Sequence, residues 1–343
     1  MKICIFSRPF YPAVGGLEQI AKTLAYEFSS FGFDVEVVTD TQKSESNTDN
    51  FPFKITRTSS FKERYKCFKR ADVILFMNFT YAGIPAALMS RTPIVLSHHG
   101  IYNSKSTLKI RLLEFTKRHL TRLFPNICVS SFVARSLPGK SCVIPNAYDD
   151  QLFSYKTSLR TKNFVFCGRL VDEKGANILL DAFGKVIKTF PRAHLTIIGD
   201  GPEHLALLEH SRSIIPSDAI TFTGILRDSH LVNVLREHTC MVIPSICEEA
   251  FGIVALEGLA SCNTVIASNR GGLPEAISTC GISVEPTVDE LYKAMMHVMR
   301  ALQDGSSLPG QPSDEQRAAH LAKHSAKYIA EHYINILKKV AAQ

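Results

Sequence analysis

Short runs rich in β-branched and aromatic residues alternate along this chain with longer stretches whose apolar residues return every third or fourth position. The first pattern fits a buried strand and the second fits one face of a helix. Residues 2–7 read as a strand. Leu17, Ile20, Ala21, Leu24, Ala25 and Phe28 then mark a helix that Gly32 stops, and 34–40 read as the next strand. Residues 41–52 are polar and read as a surface loop. Further strands are predicted at 53–58, 72–78, 93–97, 126–130 and 141–144, with helices between them. The pattern loosens from Ala147 to Lys162, which reads as a linker. A second series then begins with a strand near Phe164 and a helix carrying Leu179, Leu180, Phe183, Val186 and Ile187. It continues with strands at 194–198, 220–225, 240–245 and 264–267. Pro202 opens one helix, Asp228 caps another, and three more fall near 287–302, 313–324 and 326–341. Strand–helix alternation implies an α/β protein with parallel sheets covered on both faces.

Composition narrows this picture. At 343 residues the chain suits two domains, and 45% hydrophobic with 21% charged residues is globular composition. No apolar run approaches bilayer length, and residues 1–9 are too short and too soon interrupted for a signal peptide. The nine cysteines are dispersed without a Cys-x-x-Cys pair, which predicts free thiols in a reducing compartment rather than a disulfide frame or zinc site. Net charge is +7, concentrated in two amphipathic stretches. Lys62, Arg64, Lys66, Lys69 and Arg70 form one. Lys105, Lys109, Arg111, Lys117, Arg118 and Arg122 form the other. One reading is docking on an anionic membrane or acceptor, and the other is a solvated helix face. No zinc-finger spacing, recognition helix or aromatic RNA-binding signature points to nucleic acid.

The most informative stretch is 247–257. Glu249 and Glu257 stand eight positions apart around an apolar insert, after the strand at 240–245. A helix beginning near Gly252 would place Glu257 roughly 8 Å along its axis. A helix N-terminus suits an anion such as a diphosphate, and carboxylates on either side would take hydroxyls. A solvated acidic helix start is the plainer alternative. Arg169 and Lys174 flank another helix start and form a candidate anion clamp. Gly15 and Gly16 precede the first helix, where glycine lets backbone N–H groups approach a phosphate. That loop lacks Gly-x-Gly-x-x-Gly, so Asp40 is weakly placed as a ribose-binding acid and a nicotinamide dehydrogenase is disfavoured. Ser97-His98-His99-Gly100 ends a strand. Adjacent strand residues point to opposite faces, so one histidine of the two should face a functional cleft, and a two-histidine metal site is disfavoured.

Taken together, these residues resemble the group 1 glycosyltransferases, the retaining nucleotide-sugar family 4, over nearly the whole chain. The family signature of Glu, seven residues and Glu stands as Glu249-Ala250-Phe251-Gly252 through Glu257. Its Gly-Arg followed by Lys-Gly stands at Gly168-Arg169 and Lys174-Gly175, and its Gly-Asp-Gly-Pro at Gly199 to Pro202. Gly-Gly-x-Pro-Glu stands at Gly271 to Glu275, and Pro-x-x-Gly-Gly at Pro12 to Gly16. Asn146-Ala147-Tyr148-Asp149 and Gly258-Leu259 depart from the commoner forms without removing a charged group.

The resemblance implies two Rossmann-like domains facing across a cleft (the GT-B arrangement). They would span 1–155 on the acceptor side and 156–325 on the nucleotide-sugar side, with a helix at 326–343 crossing back to the first domain. It also implies a retaining hexosyltransferase. Arg169 and Lys174 would grip the donor diphosphate, Glu257 the ribose, and Glu249 the donor sugar. Backbone N–H groups of Phe251, Gly252 and Ile253 would bind phosphate or sugar. Gly15 and Gly16 would approach the diphosphate, backbone near Ile225 would read the base, and His98 would meet the donor sugar. No Asp-x-Asp motif is present, so no metal or other cofactor is expected. The expected partners are a nucleotide-sugar donor and a glycan or lipid-linked acceptor of polysaccharide or lipopolysaccharide synthesis. The expected location is cytoplasmic, peripheral on the inner membrane face. The rival readings are a two-domain nucleotide-sugar epimerase or hydrolase and a binding-only sensor.

Overall fold

The structure, a computed structural model, describes residues 1–13, 15–43, 50–102, 108–156 and 160–342. Lys105 and the side chain of Lys109, both counted in the second basic stretch, lie outside the described residues and side chains. The chain forms two compact units. One holds Met1–Ala147 with His324–Gln343, and the other holds Tyr148–Lys323.

In the first unit the elements run β1 (Lys2–Phe6), α1 (Gly16–Ser30), β2 (Asp34–Thr39), β3 (Lys54–Arg57), α2 (Phe61–Lys69) and β4 (Val73–Met77). They continue through α3 (Ile84–Ser90), β5 (Ile94–His98), α4 (Leu108–Leu120), β6 (Asn126–Cys128), α5 (Ser131–Ser136) and β7 (Cys142–Val143). The strands form one sheet in the order β3-β2-β1-β4-β5-β6-β7, with parallel pairing throughout. β4 and β5 are buried on both faces, as parallel strands covered by helices must be. Phe6, Phe68 and Phe76 meet edge-on or tilted in the core beneath α2 and α3.

In the second unit the elements are β8 (Lys162–Cys167), α6 (Ala176–Thr189), β9 (Leu195–Ile198), α7 (His204–Ile214), β10 (Ile220–Gly224) and α8 (Asp228–Arg236). They continue through β11 (His238–Ile243), α9 (Ile253–Leu259), β12 (Thr264–Ser268), α10 (Leu273–Ile277), β13 (Ile282–Val284), α11 (Val288–Asp304) and α12 (Asp314–Ala322). The parallel strand order is β10-β9-β8-β11-β12-β13. In both sheets the order reverses beside the first strand, between β1 and β4 and between β8 and β11. Open α/β sheets bind ligands beyond the carboxyl ends of strands at such a reversal.

The chain then returns to the first unit as α13 (Ala326–Ala341), which packs on α1, β4 and β5. Its Tyr333, 1% exposed, places its hydroxyl 2.7 Å from Ser97 Oγ on β5. The contacts assign 148–155 to the second unit, whereas the sequence pattern places those residues in the first. The Tyr155 ring lies 3.9 Å from the Arg317 guanidinium, which fastens this segment beneath α12. Arg317 is buried, yet it donates to the carbonyls of Leu259, Cys262 and Asn263. These include acceptors left over at the C-terminal end of α9, where a cation is electrostatically favoured. Arg317 thereby anchors the helix that carries Glu257. Two helix starts shift from expectation. Asp228 is the first residue of α8 and makes no side-chain cap, and α7 begins at His204, two residues after Pro202. β13 is a short, half-exposed strand that the sequence pattern does not announce.

Candidate active site

In the second unit the loops after β8 and β11 meet at the reversal of the sheet. The amides of Ile246 and Cys247 donate to the Glu173 carbonyl at 2.9 and 3.3 Å, so the backbones brace each other. Gly175 sits at φ +69, and a Cβ there would overlap the Pro244 carbonyl oxygen. Glycine alone satisfies both the left-handed backbone and the close approach. The brace brings Lys174 to Glu249: Nζ and Oε1 form an ion pair, and the Ser245 hydroxyl donates to the same oxygen at 2.8 Å. Ser245 carries no sequence signal, because its role depends on the loop conformation. A third loop, after β12, closes the group. The Gly272 amide donates to the Glu249 carbonyl at 2.7 Å, and Gly271 lies flat on the Glu249 backbone.

Around this pair the remaining expected residues take different places. The Arg169 guanidinium is exposed and has no hydrogen bond or ion pair among the described residues. Gly252, at φ +98, leads into α9, whose first residue is Ile253. The N–H groups of a first helical turn have no acceptor within the helix. Phe251 is 2% exposed, so its ring belongs to the core and only its backbone is near the loop surface. Glu257, in the second turn of α9, is half-buried. Burial pushes its carboxyl up to about 7, and the charge of Asp149 adds to the shift. Ile225 is 61% exposed at the end of edge strand β10, two strands from β8, which is about 10 Å at ordinary strand spacing.

In the first unit Gly15 and Gly16 are exposed at the start of α1. Beside them, beyond β1, β2 and β4, lies a pocket of about 530 Å³ lined by Arg8, Asp40, Thr41, Asn78, Thr80 and Lys117, among others. The Asp40 carboxylate is already engaged by Arg8 at 2.8 Å and by Arg64, which removes it as a ribose-binding acid.

His98 requires a correction. Its side chain is fully buried and both ring nitrogens are used within the unit. Nε2 lies 2.8 Å from Asn126 Oδ1, and Asn126 is oriented by donating its amide hydrogens to the carbonyls of Thr121 and Phe124. Nε2 must therefore carry the proton, and Nδ1 accepts from the Tyr102 hydroxyl at 2.9 Å. Burial holds the His98 pKa near 4, so the ring is neutral and structural. His99 points to the opposite face and is the partly exposed histidine. It joins a directed chain. Tyr333 donates to Ser97, Ser97 donates to His99 Nε2 at 2.8 Å, and His99 Nδ1 donates to Asn146 Oδ1 at 3.0 Å. Burial lowers its pKa to about 3, which keeps this ring neutral too.

All nine cysteines are free, six of them buried and Cys142 exposed. Among the described residues no group of three His, Cys, Asp or Glu side chains is arranged to hold a metal ion, and no helix is long and apolar enough to cross a membrane.

Comparison with known proteins places this geometry. A phosphatidylinositol N-acetylglucosaminyltransferase component from Arabidopsis thaliana is 30% identical over 214 residues, covering 59% of this chain and 47% of that protein. The chain thus spans about half the length of this relative. Among solved structures, Anabaena Alr3699/HepE in complex with UDP aligns at TM-score 0.83 with 18% identity, covering 99% of this chain and all of that one. WaaG, a glycosyltransferase involved in lipopolysaccharide biosynthesis, aligns at TM-score 0.69 with 14% identity, covering 98% of this chain and 99% of that one. The model of Glycosyltransferase Family 4 matches residues 14–152, and that of Glycosyl transferases group 1 matches 161–301. Matched in both halves and in order, the chain belongs to the group 1, family 4 glycosyltransferases and has their GT-B fold.

Proposed function

We propose that this protein transfers a hexose from a nucleoside diphosphate donor to an acceptor hydroxyl, with retention of anomeric configuration and without a metal ion. One observation carries the reading: Lys174 and Glu249 are paired at the sheet reversal, beside an exposed and unpaired Arg169. Two cations there would neutralise the charge that develops as the nucleoside diphosphate leaves the anomeric carbon. The N–H groups at Gly252 and Ile253 would add a helix N-terminus to the same anion. Glu249 would take sugar hydroxyls and Glu257 ribose hydroxyls, and the base would lie toward Ile225. The HepE complexes with UDP and with UDP-glucose support a uridine nucleotide as the first donor to test.

Retention would follow from attack of the acceptor on the face that the diphosphate leaves, with Glu249 holding sugar hydroxyls rather than attacking the anomeric carbon. The acceptor would occupy the pocket between Arg8 and Lys117 of the first unit. The Arabidopsis relative is named for a phosphatidylinositol acceptor and WaaG for lipopolysaccharide synthesis, which supports an acceptor carrying lipid or glycan phosphate. The test is nucleoside diphosphate release from a panel of nucleotide-sugars, with and without lipid-linked and lipopolysaccharide-type acceptors. Release that depends on acceptor, with the product anomer matching the donor by NMR, is expected. Acceptor-independent turnover would instead favour an epimerase or hydrolase. Mass-spectrometric capture of a glycosyl-enzyme adduct would rule out same-face attack.

A further inference from the structure

α4 is mounted inside out. A surface helix ordinarily buries its apolar stripe and exposes its charges. On α4 the half-buried side chains are Glu114, Lys117 and Arg118, which share one face at helical spacing. Leu112, Phe115 and Leu120, on the opposite side, are 64%, 55% and 36% exposed, and Leu123 just beyond the helix is 72% exposed. None of the described side chains of α4 is buried. The helix rests on Tyr81, whose hydroxyl lies 2.6 Å from Thr116 Oγ1 and whose ring lies 5.9 Å from Lys117 Nζ. A contiguous apolar face of this kind marks an interaction surface.

The surrounding charge selects the partner. Arg111, Arg122 and Arg135 are exposed around the apolar face. Between α4 and α5 lies a pocket of about 260 Å³ whose lining includes Tyr102, Arg118, Arg135 and Ser136. The Arg118 Nε atom is buried there without a hydrogen-bond partner, and the Arg135 guanidinium has none among the described residues. The unpartnered N–H groups of these two guanidiniums fit the oxygens of a phosphate. A second copy of this chain would bring like charge against like.

We infer that this face docks the protein on an anionic phospholipid bilayer, with Leu112 and Phe115 entering the interface and one lipid phosphate seated between Arg118 and Arg135. Apolar insertion beside basic residues is the combination that holds an amphipathic helix on an anionic bilayer surface. The inference stands apart from the sugar-transfer reading, because lipid binding needs neither donor nor acceptor.

Co-sedimentation of the full chain with vesicles tests it. The protein should pellet with phosphatidylcholine–phosphatidylglycerol vesicles, much less with phosphatidylcholine alone, and less as salt is raised. Combining Leu112→Gln with Phe115→Gln should lower partition on the order of tenfold, and so should Arg118→Gln with Arg135→Gln. Unchanged far-UV circular dichroism and thermal midpoint would show that these substitutions leave the fold intact. Equal binding to neutral and anionic vesicles, no binding to either, or full binding by the Leu112/Phe115 variant would overturn the proposal. A dimer in solution that the Leu112/Phe115 variant dissociates, with no vesicle binding by the native chain, would give the face to a second copy instead.

Discussion

The ammonium of Lys174 is bonded to Oε1 of Glu249, the oxygen that also accepts the Ser245 hydroxyl, so the two charges that flank the sheet reversal neutralise each other. Both side chains are only partly exposed, 27% for Lys174 and 17% for Glu249. A diphosphate competing for the ammonium would free the carboxylate to accept sugar hydroxyls. Anion binding and sugar binding would then be coupled through this one contact.

Replacing Lys174 by Ala should therefore weaken both events. A charge-assisted hydrogen bond contributes about 1.5–3 kcal/mol, so kcat/KM should fall roughly 10- to 150-fold. The thermal midpoint should move little, because a partly exposed ion pair adds at most about 1 kcal/mol. Steady-state assays of nucleoside diphosphate release read the first effect and calorimetry the second. Turnover equal to that of the native chain would remove Lys174 from the site.

His98 should behave as a core residue. Truncation to Ala would orphan the Asn126 and Tyr102 side chains, at about 1–3 kcal/mol for each buried polar group left without a partner. We expect the His98→Ala protein to unfold at markedly lower denaturant while the folded fraction keeps kcat within a few-fold. Should the variant keep its stability and lose turnover, the ring would have to reach substrate after all.

The reading from sequence located strands, turns and loops where the pattern is local. A strand, a glycine turn and a charged residue lie within a few positions at Gly168 to Gly175 and at Glu249 to Glu257, so the loops show in composition and spacing. It failed where the decisive partner is distant. Nothing near His98 reveals that Asn126 will take its Nε2 proton, and nothing near Ser97 reveals Tyr333, 236 positions away. The basic, apolar pattern of α4 was legible as a helix, but periodicity is the same whichever face turns inward. Only the half-burial of Glu114, Lys117 and Arg118 shows which one does.

Gly271 tests how the Glu249 loop is held. It sits at φ +60, and a Cβ there would overlap the Glu249 carbonyl oxygen. Gly271→Ala should push the loop after β11 away from Lys174 and break the Gly272 amide bond to Glu249. Strain at a left-handed position together with a lost hydrogen bond amounts to about 2–4 kcal/mol. Turnover should fall on the order of tenfold or more, with a lowered thermal midpoint. Because the displaced element is the loop rather than the charge, donor affinity and kcat should both suffer. A variant with native kinetics would show that the loop is positioned by something else.

Glu257 should make donor affinity depend on pH. Burial, with the Asp149 charge added, raises its carboxyl to about 7 from an ordinary value near 4.5. The folded chain then holds a proton that the unfolded chain has released. Stability should thus decline as pH rises from about 4.5 to about 7 and level off above. Ligand binding should run the other way. Ribose hydroxyls donate to the ionised carboxylate, so binding below about pH 7 must first expel the proton. Affinity for an intact nucleotide-sugar should therefore rise by up to tenfold per pH unit toward pH 7 and flatten above. The intact donor is the right probe, since its diphosphate stays fully ionised over this range. Glu257→Gln should bind more weakly and lose the slope. Isothermal titration calorimetry in buffers of different ionisation enthalpy would count the released proton directly. A flat affinity profile in the native chain, or an unchanged slope in Glu257→Gln, would take the ribose contact away from this carboxylate.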